Sequence, residues 1–428
     1  MAARTVAIVG SGVAGLGAAH ALAPHARVTV YEAGRHFGGH AHTVDITLEG
    51  QTHGVDTGFL VFNERTYPEL IRLFGSLAVR TAPSDMSFSV QAGGLEWSGS
   101  TLNSVFAQRR NLLRPGFWRM LADLLRFNRL ATALAQAEQE ARLQMPIGDF
   151  LQDHRFSKEF REGYFLPMVA SIWSCPTEQM LHFPIGTLIR FCHNHGLLQV
   201  NGRPPWHTVQ GGSRQYVQAL VSRLPDTRLN TPVRRVERLA QGGVRVHTDG
   251  RSEDFDDVVL ACHSDQSLAL LPDASAGERA LLGAVRYHPN RAVLHTDSTL
   301  LPRRRLAWAA WNYERAASTA REEAGVCLHY LINRLQPLPW RTPVIVSLNP
   351  VREPRPGCVL GEYAYEHPVF DAAAIAAQRQ LHTVQGVGGL WYCGAWTRYG
   401  FHEDGLRSGL MVAEALLQRE SQAPARAA

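Results

Sequence analysis

The stretch that decides the fold is TVAIVGSGVAGLGAAHALA, residues 5–23, followed by RVTVYEA, residues 27–33. The β-branched run TVAIV is typical of a buried parallel strand, LGAAHALA predicts a helix, and RVTVYEA predicts a second strand that ends at Glu32. The turn between strand and helix has the G-x-G-x-x-G register, with Gly10, Gly12 and Gly15. This order of strand, glycine turn, helix, strand and acid indicates a Rossmann-like dinucleotide-binding unit.

Each position of this unit has a physical role. Gly10 allows the tight turn, Gly12 lets the backbone approach a pyrophosphate, and Gly15 lets the helix pack close to the strand. The helix N-terminus, at Val13 and Ala14, would then direct unpaired N–H groups at the phosphates. Glu32, with Ala33 beside it, is predicted to lie at a ribose. A secretory signal peptide ending in ALA is the minor alternative, because the fingerprint is intact.

A glycine pair, Gly38 and Gly39, follows Glu32 closely in EAGRHFGGHAHTV. This arrangement resembles the E-x-x-x-x-x-G-G signature of FAD enzymes in the flavin amine oxidase, protoporphyrinogen oxidase and phytoene desaturase superfamily. The resemblance implies that the cofactor is FAD. Members usually continue with Arg, where this chain has His40, so an imidazole would have to replace that phosphate contact in part. GVDTGFLVF, which contains Thr57 and Gly58, resembles the superfamily strand that passes close to the flavin.

Later segments extend the resemblance. WHTVQGGSRQYVQAL is similar to the internal G-G-x-x-x-L element, and Val233 stands where the superfamily packs backbone against the adenine. LWYCGAWTRYGFHEDGLRSGLMVAEAL, residues 390–416, resembles the closing unit, whose strand brings Gly394 to the flavin. Its helix, with Gly405 near the start, would point its N-terminus at the isoalloxazine, where a reduced flavin carries negative charge.

The closing unit also departs from the superfamily. Relatives often have Glu or Asp after the glycine, to bind the ribityl chain, and this chain has Ala395. Glu403 or Asp404 is predicted to take over that contact, with helix capping as the alternative.

The fold class expected from these segments is α/β, with a Rossmann-like FAD-binding domain and an interleaved α+β substrate domain. Residues 1–60, 205–265 and 386–417 form the first domain, and residues 61–204 and 266–385 form the second. The strands of the substrate domain are predicted at RAVLHTD, VCLHYLI and PVIVSLN. The tail, residues 418–428, is predicted to be disordered.

Composition narrows the class of protein. The 428 residues are 45% hydrophobic and 19% charged, with a formal net charge of +5, which is typical of a globular chain. The six cysteines form no C-x-x-C pair, which favours reduced thiols in the cytoplasm. No apolar run reaches the roughly 20 residues of a membrane span. Two short motifs, H-A-H at residues 40–42 and C-H-N-H at residues 192–195, contain possible metal ligands. Neither is accompanied by the second pair of ligands that a structural zinc site needs, so no metal is expected.

Residues 106–129, FAQRRNLLRPGFWRMLADLLRFNR, hold six arginines and one acid. On a helix over residues 117–131, Arg119, Arg126 and Arg129 share one side with Asp123, and aromatic and aliphatic residues take most of the other. Two interpretations remain: an ordinary substrate-domain helix, or a segment at the inner face of the membrane whose arginines meet lipid phosphates. Nucleic-acid binding is not indicated, because the basic residues are not spread over an aromatic-interleaved surface.

The catalytic residues are less defined. Amine oxidases of the superfamily hold a lysine near the flavin, but the only lysine is Lys158, outside the expected strand. His402 is the candidate proton donor or acceptor, because imidazole titrates near neutrality. Tyr399 and Trp396 lie in the loop before it. YFLPMVASIWSCP resembles a substrate-pocket helix and adds two weaker candidates, Tyr164 and Trp173.

Further segments, YGFHEDGLRSGL, VDTGFLVFNERTYPEL and PSDMSFSV, resemble a bacterial family of predicted NAD/FAD-binding flavoproteins. Its genes often neighbour cyclopropane-fatty-acid-synthase-like methyltransferases, which implies a lipid context. The leading hypothesis is an FAD-dependent oxidoreductase acting on a hydrophobic substrate, such as an unsaturated or methylated fatty acyl chain. The alternatives are a flavin amine oxidase, a fatty-acyl double-bond isomerase, and a non-catalytic FAD-binding partner of a lipid methyltransferase.

Overall fold

A computed structural model describes residues 3–137, 144–174, 176–199, 202–316 and 325–422. The strands of these described parts are β1 Thr5–Val9, β2 Arg27–Tyr31, β3 Thr43–Leu48, β4 Gln51–Asp56, β5 Phe62–Asn63, β6 Thr81–Ser84, β7 Phe88–Ala92, β8 Leu95–Ser98, β9 Trp206–Val209, β10 Asp226–Arg228, β11 Val233–Arg238, β12 Val244–Thr248, β13 Ser252–Phe255, β14 Asp257–Leu260, β15 Arg286–His295, β16 Trp311–Glu314, β17 Cys327–Leu331, β18 Ile345–Leu348, β19 Val359–Val369 and β20 Leu390–Tyr392.

The helices of the same parts are α1 Val13–Leu22, α2 Pro68–Leu77, α3 Leu102–Val105, α4 Pro115–Gln136, α5 Ile147–Asp153, α6 Lys158–Phe160, α7 Leu166–Trp173, α8 Thr177–Leu181, α9 Ile185–Asn194, α10 Arg214–Val221, α11 Ser264–Ala269, α12 Ala276–Leu282, α13 Ile332–Leu335, α14 Ala372–Gln380 and α15 His402–Gln422. A π-helical turn, Arg161–Phe165, joins α6 to α7. Short 3-10 turns include Arg109–Leu113, Arg305–Ala307 and Ala395–Thr397.

The first sheet is parallel and has the order β10-β2-β1-β14-β20. Its central strand β1 is almost fully buried, as expected for a parallel sheet covered on both faces. Helices α1 and α15 pack on one face, and the antiparallel sheet β11-β12-β13 lies towards the other. The chain passes from β1 to β2 on one side of β1, and β14 lies on its other side. At such a change in direction, the carboxyl ends of β1 and β14 border a crevice that suits a dinucleotide.

The second sheet has the order β19-β15-β18-β17-β16-β7-β8 and is antiparallel except where β16 runs parallel to β7. The three predicted substrate-domain strands overlap β15, β17 and β18, which lie side by side in the order β15-β18-β17. The two sheets with their helices form the mixed α/β architecture that the sequence predicts.

Packing connects segments across the predicted domain limits. Helix α2 begins beyond residue 60, yet it packs against α10 and α15 in the core of the first sheet. Helices α12 and α14 contact each other and contribute to the core beneath β11 and β12. The prediction of a disordered tail from residue 418 is wrong for its first part, because α15 continues to Gln422. No glycine or proline interrupts that stretch, and residues 423–428 lie outside the described part.

Helix α4 includes the predicted helix 117–131 and begins with Pro115 in its first turn, where the missing N–H costs nothing. Its buried face carries Phe117, Met120, Phe127, Asn128, Ala131 and Leu134. Two members of the predicted apolar face, Trp118 and Leu125, are exposed instead. One face of the helix therefore packs in the core, while part of its predicted apolar face lies at the protein surface. None of the described helices is long and apolar enough to cross a bilayer.

Candidate active site

A cavity of about 830 Å³ lies at the carboxyl ends of β1, β2, β14 and β20 and continues to the face of the second sheet. Both sheets supply lining residues. This volume falls within the usual range for binding sites of cofactors and small molecules. One cavity therefore joins the dinucleotide crevice to the region predicted to hold the substrate.

The glycine turn at the end of β1 has the geometry that phosphate binding requires. Gly10 has a φ of 103°, which favours glycine, and its N–H donates to the Tyr31 carbonyl at 2.9 Å. Helix α1 starts after Gly12, and no side chain of the described segments caps its N-terminus. Val13 and Ala14 line the cavity there. The uncapped N–H groups and the helix dipole suit an anion, as predicted.

Glu32 lies at the carboxyl end of β2 and lines the cavity next to Ala33. Its carboxylate accepts hydrogen bonds from the Ser11 N–H at 3.0 Å, the Ser11 hydroxyl and the Gly34 N–H at 2.7 Å. A carboxylate has about four acceptor positions, so a position remains for a ribose hydroxyl. Val233 lines the same part of the cavity, as the sequence predicts for the adenine side.

The glycine pair brings an imidazole into the cavity. Gly38 donates its N–H to the Ser11 carbonyl at 3.0 Å, which connects this turn to the first glycine turn. His40 Nε2 is buried and has no hydrogen-bond partner among the described residues. Burial, with the nearby His263, lowers the pKa of His40 to about 4. A neutral ring with an unsatisfied nitrogen is what a bound cofactor would complete, so His40 fits its predicted role.

Histidines and tyrosines from distant segments surround His40. Its ring centroid lies 5.1 Å from that of Tyr365 and 5.4 Å from that of His367. Thr57, which lines the cavity with Gly58, lies 2.7 Å from the Tyr365 hydroxyl. The sequence reasoning missed Tyr365 and His367. If VLGEYAYEHPV is taken as a strand, alternate residues share a face, and this would have placed Tyr365 and His367 together.

The last strand and helix close the cavity. Gly394 has a φ of 150°, and its N–H donates to the Ser408 hydroxyl of α15 at 2.9 Å. Gly394, Ala395 and Gly405 all line the cavity. The first turn of α15 therefore borders the site, which agrees with the predicted orientation of its N-terminus towards the flavin.

The prediction that Glu403 or Asp404 binds the ribityl chain is not supported by the structure. The Glu403 carboxylate accepts the N–H groups of Glu69 and Leu70 at 2.9 and 3.0 Å, and so caps the N-terminus of α2. Asp404 accepts the Phe401 N–H at 3.0 Å. Neither is among the described residues that line the cavity. Both carboxylates are used for capping, the alternative that the sequence left open.

His402 lines the cavity, but it is not a group that titrates near neutrality. Its ring stacks on Phe59 at 3.8 Å between centroids, and its Nε2 lies 2.6 Å from the Tyr216 hydroxyl. Burial, with a contribution from His40, lowers the pKa of His402 to about 3. The reason given for its candidacy is therefore wrong, since the ring stays neutral at physiological pH. A neutral imidazole can still hold or orient a hydrogen-bonding group.

Tyr399 and Trp396 also line the cavity. The Tyr399 carbonyl accepts a hydrogen bond from the Trp173 indole N–H at 3.2 Å, which ties the loop before α15 to α7. Trp173 lines the cavity as well, whereas Tyr164 is not among its lining residues and packs beside Trp97. The Trp396 indole nitrogen is buried without a hydrogen-bond partner in the described chain.

The part of the cavity between α7, α9 and the second sheet is aromatic and aliphatic. Its side chains come from segments far apart in sequence: Met86, Phe88, Met168, Ile172, Trp173, Phe191, Leu197, Trp206, Trp311, Tyr330, Val346, Leu348, Phe370 and Phe401. The charged residues among the described lining are Glu32, Arg234 and Glu366, and Glu366 contacts His263 just after β14. His195, in the apolar part, has its pKa lowered by burial to about 4. This part of the cavity, which we call the apolar end, therefore carries no ionised side chain among the described residues.

Two groups outside the cavity bear on alternative chemistry. Lys158 has an 80% exposed side chain and lies 3.7 Å from Glu162, so it does not reach the site. Glu314, Cys327 and His329 form a buried cluster in the second sheet that the sequence analysis did not identify. His329 Nε2 lies 3.0 Å from Glu314, and its Nδ1 lies 2.6 Å from the Ser347 hydroxyl. These groups satisfy one another's hydrogen bonds.

Comparison with known proteins agrees with this geometry. The model of the family "Flavin containing amine oxidoreductase" matches residues 13–319. The carotenoid phi-ring synthase of Streptomyces griseus is 31% identical over 280 residues, which cover 61% of this chain and 53% of that protein. The chain thus spans about half the length of this curated relative.

Solved structures show the same fold. Cyclohexylamine oxidase from Brevibacterium oxydans IH-35A superposes with a TM-score of 0.69 at 17% identity, covering 98% of this chain and 100% of that chain. A CLA-producing fatty acid isomerase from P. acnes superposes with a TM-score of 0.68 at 14% identity, covering 97% and 98%. The uncapped start of α1, the free acceptor position on Glu32 and the orphaned nitrogen of His40 fit FAD. The chain belongs to the flavin containing amine oxidoreductase family, and its cofactor is FAD.

Proposed function

We propose that this protein is an FAD-dependent oxidoreductase that acts on a hydrophobic chain, and that its reaction is the dehydrogenation of an unsaturated or methylated fatty acyl group of a lipid. The observation that carries the proposal is the apolar end of the cavity, where aromatic and aliphatic side chains meet without an ionised group among the described residues. An alkyl chain gains free energy from burial at such a surface. A cationic amine would lose its hydration there without a carboxylate to compensate.

The names of two similar proteins support this choice of substrate class. One is a carotenoid phi-ring synthase, and the other is a fatty acid isomerase. Both names describe work on hydrophobic molecules, although the second likeness concerns the fold alone. The resemblance to bacterial flavoproteins encoded near lipid methyltransferases points in the same direction.

The protein's own contribution would be binding, orientation and exclusion of water. Bound FAD supplies a two-electron acceptor for hydride. The indole rings of Trp206 and Trp311 and the side chain of Met168 would hold the alkyl chain in a water-poor space. The neutral His402 borders the same cavity and would orient a hydrogen-bonding group there. Because its pKa is low, it is a poor base, so the proton lost from carbon would be released to solvent.

An anaerobic titration of the FAD-loaded protein with phospholipid vesicles tests the proposal. Vesicles with monounsaturated or methyl-branched acyl chains should bleach the oxidised flavin band. Mass spectrometry should then find a lipid that has lost two hydrogens. Vesicles with saturated, unbranched chains serve as the control and should leave the band unchanged. Reduction by dithionite establishes that the flavin is competent in every sample.

The other outcomes identify the alternatives. A shifted double bond without bleaching would mean isomerisation. Bleaching by amines, with peroxide released in air, would mean amine oxidation. An unchanged lipid and an unbleached flavin, combined with a lipid methyltransferase that fails only when this protein is absent, would mean a non-catalytic partner role.

A further inference from the structure

Exposed hydrophobic side chains are concentrated on one part of the surface. Leu102 at the start of α3 is 81% exposed, and Leu113 in the 3-10 turn that follows is 87% exposed. Leu112 and Trp118, in the same turn and in the first turns of α4, are also exposed. Neighbouring large apolar side chains that are exposed together on a protein surface usually mark a binding site.

The group is held rigidly. The Trp118 indole N–H donates to the Leu112 carbonyl at 2.9 Å, and its ring lies 5.3 Å from that of Phe106. Arg110 donates to the Gly94 carbonyl at 2.7 Å, which fixes the 3-10 turn to the β7–β8 hairpin. Thr101 caps α3 through a capping box with Ser104. The apolar side chains are therefore displayed by ordered backbone.

A second segment, two hundred residues away in sequence, reaches the same surface. The 3-10 turn Arg305–Ala307 packs against α3 and β8. Glu96 in β8 accepts the backbone N–H groups of Arg303 and Arg304, at 3.1 and 3.2 Å, and so anchors this turn. The side chains of Arg303, Arg304, Arg305 and Leu306 are exposed beside α3. The tertiary structure thus adds three arginines and a leucine to the surface.

Among the described residues, most arginines of this surface lack a carboxylate partner, and Arg304, which pairs with Glu96, is the exception. Arg109 donates to Asn103 and to the Phe106 carbonyl, and Arg114 donates to the Asn111 side chain. Within the described residues, Arg109, Arg110, Arg114, Arg303 and Arg305 have no carboxylate partner within salt-bridge distance. By contrast, Arg126 on α4 pairs with Asp123. An uncompensated positive field therefore surrounds the exposed leucines.

This combination identifies the occupant. Unpaired guanidinium groups attract and hydrogen-bond phosphate oxygens. Exposed leucines and a tryptophan beside these guanidinium groups suit the boundary between headgroups and acyl chains. We propose that the surface formed by Leu102, Leu112, Leu113, Trp118 and Leu306, with Arg109, Arg110, Arg114 and Arg303–Arg305, docks the protein on an anionic phospholipid bilayer. We call it the docking surface. The proposal concerns attachment alone and does not depend on the reaction.

Co-sedimentation of the FAD-loaded protein with vesicles tests the proposal. We expect binding to phosphatidylglycerol vesicles, weaker binding at high salt, and little binding to pure phosphatidylcholine. Each basic residue at an anionic surface contributes roughly fivefold to partitioning. The triple variant Arg109→Gln, Arg110→Gln, Arg114→Gln should therefore bind on the order of a hundredfold more weakly. The double variant Arg303→Gln, Arg305→Gln should lose on the order of twentyfold, which checks the second segment separately.

A matched control removes the same charge elsewhere. Arg223, Arg279 and Arg379 are exposed residues in or just after other helices, and their triple change to Gln should leave vesicle binding within about twofold of the parent. Leu113→Gln should weaken binding while all charges remain. Equal loss in the control triple, or no binding of the parent to phosphatidylglycerol, would overturn the proposal. So would a concentration-dependent dimer that Leu113→Gln abolishes, since the surface would then bind a second copy.

Discussion

The imidazole Nε2 of His402 lies 2.6 Å from the phenolic oxygen of Tyr216, at the point where the first turn of α15 meets α10. Burial raises the pKa of Tyr216 well above its ordinary value and, with His40, lowers that of His402 to about 3. Both partners are therefore neutral at physiological pH. The pair fixes the orientation of a ring that borders the flavin cavity, and it does not act as a proton switch.

The first prediction concerns pH. Because the folded-state pKa of His402 is far below neutrality, its charge does not change between about pH 5 and about pH 8. His402→Asn and Tyr216→Phe should slow substrate-dependent flavin reduction by roughly fivefold to tenfold, the effect of one hydrogen bond. The shape of the pH–rate profile should stay that of the parent. An inflection near neutrality that disappears in His402→Asn would contradict this assignment. Stopped-flow absorbance provides the measurement.

Glu32 is predicted to be needed for cofactor affinity. The Glu32 carboxylate accepts hydrogen bonds from the Ser11 and Gly34 N–H groups and would accept one from a ribose hydroxyl. Glu32→Gln removes the negative charge that strengthens these bonds. FAD affinity should fall roughly tenfold to a hundredfold. The flavin-to-protein absorbance ratio after dialysis, followed by calorimetric titration, measures the change. Glu64→Gln, at a side chain that is 74% exposed, is the control and should keep full FAD content.

Close packing of two helices should also decide cofactor retention. A Cβ at Gly409 in α15 would collide with the Ala14 carbonyl oxygen in α1, and both helices begin at the cavity. Gly409→Ala should lower the free energy of unfolding by roughly 1–3 kcal/mol and reduce FAD content. Gly75→Ala in α2 is the matched control, because a Cβ at that position would meet open space and alanine suits a helix better than glycine. Thermal melting should show opposite signs for the two variants.

The apolar end of the cavity makes a prediction about substrate choice. Met168 is 9% exposed there, so Met168→Glu would introduce a carboxylate into a water-poor space. The variant should keep FAD and lose reduction by lipid almost completely. Met168→Leu conserves volume and should retain the rate within several-fold. Unchanged lipid turnover in Met168→Glu would mean that the acyl chain binds elsewhere.

The short-range signals in the sequence were reliable. Gly10, Glu32 and Gly394 line one cavity, because each comes just after a strand of a parallel sheet whose carboxyl ends meet at one edge. Gly38 reaches the same cavity through its hydrogen bond to the Ser11 carbonyl. The role of Glu403 was not predictable, since its partners are the backbone N–H groups of Glu69 and Leu70 in another helix. Likewise, burial shifts the pKa of His402, and burial depends on neighbours such as Phe59 that local sequence does not name.

The sequence by itself determined the dinucleotide-binding unit, because the strand, turn, helix and acid of that unit are contiguous and their geometry follows from local backbone preferences. The choice of FAD came from the resemblance of the glycine pair Gly38 and Gly39 to the signature of a known superfamily. Only the tertiary structure decided which side chains line the apolar end and which ones form the docking surface. Trp206, Trp311 and Tyr365 converge through the register of three separate strands. The turn that carries Leu306 packs against α3 because Glu96 anchors it. Such contacts depend on long-range packing, which no local pattern of residues encodes.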